Sequence, residues 1–273
     1  MTQTGAPLRP LRSALICHAG DALNQEGISR WLASFTTLAL QIEIEEPRSQ
    51  LLRRIRKEVR RSGVAGFADV LAFRAAYRLR FAGPDARWRT ELLGELATRY
   101  PDRGVPQRLP VRTPNIPEVI AALQEQRVDF VLARCKTLLK PELFNSVPGG
   151  VFVLHPGICP QYRNAHGGFW ALASHDRDNV GTTLLRIDAG VDTGPVYGYF
   201  RAPFDELTES HLVIQDRSCY ANLDAIATLL QEVLAGRRLP LDTAGLPSRA
   251  WGQPRLTTYL AWKRAARRAR RGP

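Results

Sequence analysis

Short apolar segments recur along this chain, and each is followed by a turn or a helix. Ser13–His18 is apolar and precedes the turn residues Gly20 and Asp21, after which Leu23–Leu38 is predicted as a helix. Leu40–Ile44 is the next apolar segment. A strand, a loop, a helix and a second strand in this order favour a parallel sheet. The predicted fold class is therefore α/β, with a mostly parallel sheet flanked by helices.

The same alternation resumes after residue 100. The predicted strands are Leu109–Arg112, Asp129–Ala133, Val151–Leu154, Thr182–Ile187 and Val196–Phe200. Predicted helices begin at Pro117 (capped by Thr113 or Asn115), at Pro141, at Gly168 and at Thr208, the last running to Leu234 with Thr208 as its cap. Residues 47–100 are predicted as a helical insertion. The predicted division is an α/β domain at 1–204 and a C-terminal helix with a helical or irregular basic tail at 205–273.

The positive charge is concentrated in two segments. The net charge is +12, and Arg48–Arg61 together with Lys263–Arg271 accounts for all of it. A basic amphipathic helix is typical of contact with an anionic membrane surface or a phosphorylated ligand, and nucleic acid is less favoured. The alternative is a solvated helix face with a free tail. Because no apolar segment has the length of a signal peptide core or a spanning helix, a cytoplasmic protein is predicted, with peripheral membrane contact as an option.

The cysteines do not form a recognisable pattern. Cys17, Cys135, Cys159 and Cys219 include no CxxC pair. Their spacing suits neither a disulfide framework nor a zinc site, so no metal is predicted.

Polar residues are concentrated in the loops that follow three predicted strands. These loops begin after Ala133, Leu154 and Ile187, where ligands bind in open parallel sheets. His155 directly follows one strand, and Asp188 and Asp192 lie in the glycine-rich loop after another. A histidine and an aspartate on facing loops form an acid–base unit. The alternative is that the histidine only satisfies hydrogen bonds and that the aspartates only form turns.

Two dense motifs resemble a known family. HPGICPQYRN at residue 155, followed by GTTLLRIDAGVDTGP at residue 181, resembles the signature of the formyltransferases that use 10-formyltetrahydrofolate. These include glycinamide ribonucleotide, methionyl-tRNA and sugar N-formyltransferases. The resemblance covers about residues 13–200. It implies a Rossmann-like sheet and transfer of a formyl group from that co-substrate to an amine.

The resemblance also implies roles for particular residues. His155 and Asp192 match the catalytic histidine and aspartate. The loop that resembles the pterin-binding segment consists of Cys135, Lys136, Thr137, Leu138 and Leu139. The resemblance implies that Asp188 and Val191 of the later loop also contact the folate. For Asp188 a role in fixing its loop is favoured over catalysis. The turn at Gly20 and Asp21 lies where relatives bind part of the acceptor.

One position departs from the family pattern. The family has an asparagine two residues before its histidine, and this chain has Val153. Loss of one oxyanion donor typically costs about 100- to 1000-fold in rate. Asn164 or His166 is a hypothetical replacement, and Asn164 is predicted as a third catalytic residue. The alternative is that Asn164 caps the following helix.

Several functions therefore remain open. The favoured one is formyl transfer to the amine of a small-molecule, sugar or lipid-linked acceptor. A folate-dependent hydrolase and a repurposed folate-binding protein are alternatives, the latter favoured by Val153. Methionyl-tRNA formylation is less favoured, because those enzymes add a β-rich C-terminal domain. The acceptor and the oligomeric state are not predicted.

Overall fold

The computed structural model describes residues 9–46 and 48–271, and within α2 it does not describe the side chains of residues 48–54 and 57. The strands are β1 Arg12–His18, β2 Thr37–Ile44, β3 Gln107–Val111, β4 Phe130–Arg134, β5 Val151–His155, β6 Arg163–Asn164, β7 Thr182–Arg186, β8 Val196–Phe200 and β9 Ala250–Trp251. The α-helices are α1 Ser29–Phe35, α2 Arg48–Arg80, α3 Ala82–Arg99, α4 Pro117–Glu125, α5 Pro141–Phe144, α6 Gly167–Ala173, α7 His211–Tyr220, α8 Leu223–Leu234 and α9 Leu256–Arg271. A π-helix covers Leu23–Ile28 and a 3-10 helix Arg177–Asn179.

Seven of the strands form one mixed sheet, in the order β3-β2-β1-β4-β5-β7-β8. β1 is parallel to β2 and β4, and β2 is parallel to β3. β7 is antiparallel to β5 and β8. The predicted fold class, a mostly parallel sheet flanked by helices, is confirmed.

The chain divides into two compact units. The first consists of the described residues up to Glu45 together with Glu95–Val151, and the second of Glu46–Gly94 together with the chain from Phe152 onward. In the first unit, the central strands β1 and β4 each contain four consecutive buried apolar residues, Ala14–Cys17 and Phe130–Ala133, as expected for strands covered on both faces. The predicted boundary at residue 204 stays a prediction.

In the second unit, the helical insertion packs against the C-terminal helix. The predicted insertion is helical as expected, with a kink in α2 at Gly63, where φ is 71°. The carboxylate of Asp69 in α2 accepts hydrogen bonds from the backbone N–H (3.1 Å) and the hydroxyl of Thr257, at the start of α9. The ring of Phe73 lies 5.5 Å from that of Tyr259. The chain from Leu256 to Ala266 is thus packed on the second unit.

Two predicted helices have different bounds in the structure. The prediction of one helix over Leu23–Leu38 is wrong, because helical structure ends at Phe35 and β2 begins at Thr37. The prediction of one helix from Thr208 to Leu234 is also wrong, because α7 and α8 are separate helices. Ser210, and not Thr208, caps α7, since its hydroxyl accepts from the N–H of Val213.

The predicted cap of α4 is wrong as well. Ile116 occupies the cap position, and no side chain caps the helix. The side chain of Asn115 instead donates to the carbonyl of Leu138 (2.9 Å) and accepts from the N–H of Lys140 (2.8 Å). Asn115 therefore holds the loop that follows β4. Among the described residues, no helix is long and apolar enough to cross a membrane.

Candidate active site

His155 ends β5 and is almost completely buried, with 4% of its surface exposed. Its Nε2 atom lies 2.8 Å from the carbonyl oxygen of Tyr162. Its Nδ1 atom lies 3.4 Å from the Oδ2 atom of Asp192. Since a carbonyl oxygen only accepts, Nε2 must carry a hydrogen. Nδ1 is then the ring nitrogen that can gain or lose a proton, and it faces the carboxylate.

Two glycines allow the carbonyl of Tyr162 to reach the histidine. A Cβ atom on Gly157 would lie 2.6 Å from that carbonyl oxygen and 2.8 Å from the Cα atom of Gly167. A Cβ atom on Gly167 would also lie 2.6 Å from the same oxygen. Real Cβ atoms do not approach so closely, so only glycine fits at both positions. Gly157 is the glycine of the HPG sequence, and only the structure shows why a side chain is excluded there.

Asp192 is held by the loop that contains Asn164. Its Oδ2 atom accepts a 2.8 Å hydrogen bond from the backbone N–H of Asn164. The guanidinium of Arg163 donates to the carbonyl of Val191, also at 2.8 Å. Asp192 has φ 51° and Asn164 has φ 73°, so both adopt the left-handed conformation that asparagine and aspartate tolerate best. The backbone N–H of Asn164 therefore holds the Asp192 carboxylate beside the ring of His155.

The side chain of Asn164 points to a different partner. Its amide nitrogen donates to the carbonyl oxygen of Trp251, which uses one of its two amide hydrogens. Asn164 does not cap α6, because His166 occupies that position with φ 55°. The ring of His166 lies 5.4 Å from the ring of His211. The role of Asn164 as an oxyanion donor stays a prediction.

Val153 lies on the same face of β5 as His155, since residues two apart in a strand share a face. It packs against the apolar cluster of Cys159, Leu185 and Val196. Val153 is thus part of a small apolar core beside the histidine.

Asp188 stabilises its own loop. Its Oδ1 atom accepts hydrogen bonds from the N–H of Gly190 (2.9 Å) and the hydroxyl of Thr193 (2.8 Å). These contacts agree with the loop-fixing role favoured from the sequence. Val191, in the same loop, is 42% exposed. Contact of either residue with a folate stays a prediction.

The loop Cys135–Leu139 lies in the first unit, directly after β4. The N–H of Lys136 donates to the Nε2 atom of His18 at 2.9 Å. Leu138 is 60% exposed. The hydroxyl of Thr137 is buried and has no hydrogen-bond partner among the described residues. A bound polar heterocycle would give the Thr137 hydroxyl a hydrogen-bond partner and would cover the exposed Leu138 side chain.

The thiols of Cys17 and Cys159 do not have the environment of nucleophiles. Burial, together with the nearby Asp192 carboxylate, raises the pKa of Cys159 well above its usual range. Burial, with Glu43 nearby, raises the pKa of Cys17 to about 12. A reactive cysteine needs the opposite shift. Neither of these two thiols is therefore a candidate nucleophile, and catalysis by the imidazole and the carboxylate stays a prediction.

The pair His155 and Asp192 lies within a segment that matches a known family. Residues 106–226 match the family model described as formyl transferase. This chain therefore resembles the formyl transferases. The resemblance predicted from the two motifs is confirmed, and the matched segment covers less than half of the chain.

Curated relatives of this chain include methionyl-tRNA formyltransferases. The protein from Thermus thermophilus is 33% identical over 106 residues, which cover 38% of this chain and 34% of that protein. The protein from Trichlorobacter lovleyi is 31% identical over 150 residues, which cover 54% of this chain and 45% of that protein. The chain thus spans less than half the length of these curated relatives.

Solved structures of formyl transferases share the fold over most of the chain. A phosphoribosylglycinamide formyltransferase from Anaplasma phagocytophilum has a TM-score of 0.54 and 15% identity, covering 91% of this chain and 98% of that one. A sugar N-formyltransferase from a Shewanella species also has a TM-score of 0.54, with 13% identity, 93% coverage of this chain and 87% of that one. At this identity the likeness concerns the fold alone.

Proposed function

We propose that this chain transfers a formyl group from 10-formyltetrahydrofolate to the amine of a small-molecule, sugar or lipid-linked acceptor, with His155 and Asp192 as its catalytic residues. The observation that supports this most directly is the 3.4 Å approach of the Nδ1 atom of His155 to the Asp192 carboxylate. Both residues lie in the segment that matches the formyl transferase family.

The reaction joins an acceptor amine to the formyl carbon, breaks the bond from that carbon to the folate nitrogen, and returns a proton to that nitrogen. Because Nε2 of His155 is held by the Tyr162 carbonyl, the ring exchanges protons through Nδ1. With a proton on Nδ1, the ring stabilises the negative oxygen that develops on the formyl group. While ionised, Asp192 compensates the charge of the imidazolium; it then accepts the proton that leaves the attacking amine and passes it to the departing folate nitrogen.

The predicted folate contacts are Cys135–Leu139, Asp188 and Val191. The unpartnered hydroxyl of Thr137 and the exposed side chains of Leu138 and Val191 support these contacts. The acceptor is proposed to be small, because the chain shares its fold with a phosphoribosylglycinamide formyltransferase and a sugar N-formyltransferase over most of its length. tRNA is the less favoured acceptor.

Consumption of the donor, with and without a panel of small amines, tests this proposal. The variant is His155→Asn, and the matched control is His175→Asn, at an exposed histidine with φ 57°, where asparagine is well tolerated. Turnover that needs both an amine and His155 supports transfer. Turnover without an amine indicates the folate-dependent hydrolase. Folate binding without turnover for any amine indicates the repurposed folate-binding protein, and the absence of folate binding refutes all three.

A second part of the proposal concerns the basic tail, which we assign to an anionic lipid surface. Arg264, Arg267, Arg268 and Arg271 are exposed at the spacing of one face of α9. Leu260 precedes them on that face and is 39% exposed. An apolar residue beside arginines favours a lipid surface over nucleic acid.

Other basic residues of the two segments have partners inside the protein. Lys263 is 4% exposed, and its Nζ atom donates to the carbonyls of Glu206 and Glu209. Burial lowers the pKa of Lys263 to about 8. Arg61 donates to the carbonyls of Ala250 and Trp251. The lipid contact is therefore proposed for the outer face of α9, with Arg56 and Arg60 of α2 as further exposed residues.

Co-sedimentation with vesicles of phosphatidylcholine, with or without phosphatidylserine, tests this part. We expect binding only to the anionic vesicles, and weaker binding for the double variant Arg264→Gln, Arg268→Gln. The control is Arg237→Gln, Arg238→Gln, which removes two exposed arginines outside α9. Equal loss in both double variants would indicate a net-charge effect only. Binding of tRNA but not of vesicles would indicate nucleic acid as the partner.

A further inference from the structure

The segment Ser248–Gly252, called here the C-terminal strap, lies outside the residues that match the family and contacts the loop that carries Tyr162 and Asn164. Within it, β9 pairs with β6 in parallel. The N–H of Arg163 donates to the carbonyl of Arg249 at 3.0 Å, and the N–H of Arg249 donates to the carbonyl of Pro160 at 3.2 Å. The strap thus adds a short strand to the loop beside the candidate site.

Trp251 is the residue of the strap with the most extensive contacts. Its ring stacks on that of Trp170, with centroids 4.7 Å apart, and on that of Tyr162, with centroids 5.7 Å apart. The guanidinium of Arg249 lies 3.9 Å from the centroid of the same ring. The indole N–H of Trp251 donates to the carbonyl of Gln161 at 3.0 Å. Its side chain therefore fixes the backbone on the N-terminal side of Tyr162.

The carbonyl oxygen of Trp251 is a second point of attachment. It accepts from the side-chain amide of Asn164 and, at 3.1 Å, from the guanidinium of Arg61. Arg61 belongs to the helical insertion, so the insertion also binds the strap. Asn164 is held in the left-handed conformation in which its N–H reaches Asp192.

Each residue of the His155 and Asp192 pair thus depends on a neighbour of Trp251. Nε2 of His155 is held by the carbonyl of Tyr162, and Oδ2 of Asp192 accepts from the N–H of Asn164. We infer that Trp251 is a positioning residue, which sets the tautomer of His155 and the distance between His155 and Asp192. This inference deepens the proposed function and rests on it for its effect on rate, but its effect on the imidazole is independent of any substrate.

The experiment compares Trp251→Ala, Trp251→Phe and, as a matched control, Trp88→Ala. Trp88 lies in α3, outside the strap, and is also half-buried. Its ring lies 5.9 Å from the guanidinium of Arg217. The ring nitrogens of His155 are followed by ¹⁵N NMR, with His155→Asn used to assign the signals. Thermal unfolding of each variant is measured in parallel.

In the wild-type protein we expect a single tautomer with hydrogen on Nε2. Trp251→Ala should give averaged signals of both tautomers, and Trp251→Phe, which keeps the ring stacking, should restore most of the wild-type pattern. Trp88→Ala should leave the signals unchanged. Unchanged His155 signals in Trp251→Ala, or equal changes in Trp251→Ala and Trp88→Ala, would overturn the inference. If Trp251→Ala does not fold, Trp251→Phe decides, because it keeps the ring but loses the indole N–H that binds Gln161. A small shift of the His155 signals then supports the inference, and signals identical to those of the wild type overturn it.

Turnover is measured on the same variants. With an accepted amine, kcat should fall about 10- to 100-fold in Trp251→Ala, because small displacements of catalytic groups have effects of this size. The KM for the donor should change little. If His155→Asn has no effect on turnover, the proposed function fails, while the NMR result still decides whether Trp251 positions the imidazole.

Discussion

The carbonyl oxygen of Tyr162 lies 2.6 Å from the place where a Cβ atom on Gly157 would be. The same carbonyl holds the Nε2 atom of His155. The absence of a side chain at Gly157 is therefore a condition for the orientation of the imidazole.

We predict that Gly157→Ala lowers the free energy of unfolding by about 1–3 kcal/mol, the usual cost of overpacking. It should also reduce formyl transfer, because the added Cβ atom displaces the carbonyl of Tyr162. Urea unfolding and donor turnover measure both effects. The control is Gly94→Ala in the exposed part of α3, where a Cβ atom meets nothing within 4 Å. That variant should be about 0.5–1 kcal/mol more stable than wild type, and a similar gain in Gly157→Ala would contradict the prediction.

An amide side chain at residue 153 should increase the rate of the proposed formyl transfer. We predict that Val153→Asn raises donor turnover on the order of tenfold or more, because one added oxyanion donor is typically worth 100- to 1000-fold. Since Val153 packs against Cys159, Leu185 and Val196, the amide should cost about 1–3 kcal/mol of stability. Val153→Leu is the control, with a side chain of comparable size and no donor. Equal turnover of the two variants would show that the site does not use a donor at this position.

The loop that carries Asp192 should become mobile without Asp188. In Asp188→Ala, the amide hydrogen of Gly190 should exchange with solvent faster, because the Oδ1 atom that accepts its 2.9 Å bond is lost. Thr193→Val removes only the second bond to that atom, so Gly190 should keep its protection there. Each bond is worth about 0.5–1.5 kcal/mol. Hydrogen exchange by NMR measures this, and unchanged exchange at Gly190 in Asp188→Ala would refute the loop-fixing role.

Acid should destabilise the second unit through His211. Burial lowers the pKa of His211 well below its usual range, and the positive charges of His166 and Lys263 act in the same direction. The folded state therefore keeps the ring neutral, while the unfolded state binds a proton below about pH 6.5, so stability is lost as the pH falls.

The comparison of wild type with His211→Leu isolates this effect. The difference in unfolding free energy between the two proteins should be constant above about pH 7.5. Below pH 6.5 it should shift against the wild type by up to about 1.4 kcal/mol per pH unit. Urea unfolding between pH 5 and 8 measures it. Parallel curves over the whole range would mean that His211 accepts a proton in the folded state.

The strands could be predicted because their signals are local, whereas the approach of His155 and Asp192 was expected from parallel strands, and β7 is in fact antiparallel to β5. His155 and Asp192 follow short apolar segments in dense motifs, and the structure places them 3.4 Å apart. The contacts of Trp251 had no such signal, since its partner Asn164 is 87 residues away in the sequence. Residues that hold a site through backbone carbonyls leave no characteristic side-chain pattern.

The errors in helix bounds also have physical causes. The break between α7 and α8 contains no proline or glycine, and the side chain of Asn222 there donates to the carbonyls of Arg201 and Ser218, both at 2.9 Å. A contact with Arg201, distant in sequence, thus helps to end a helix that local propensity would continue. Near residue 36, apolar residues continue from α1 into β2, so periodicity alone did not separate them.

The packing of α9 on α2 has a consequence for how this chain arose. Asp69 binds Thr257, and Arg61 binds the carbonyls of Ala250 and Trp251. In a descendant that lost the insertion, the first turn of α9 and the strap would lose these hydrogen-bond partners. Selection would then act against retention of the strap and α9. We expect the insertion and the tail to have been inherited together, and homologues to contain either both or neither.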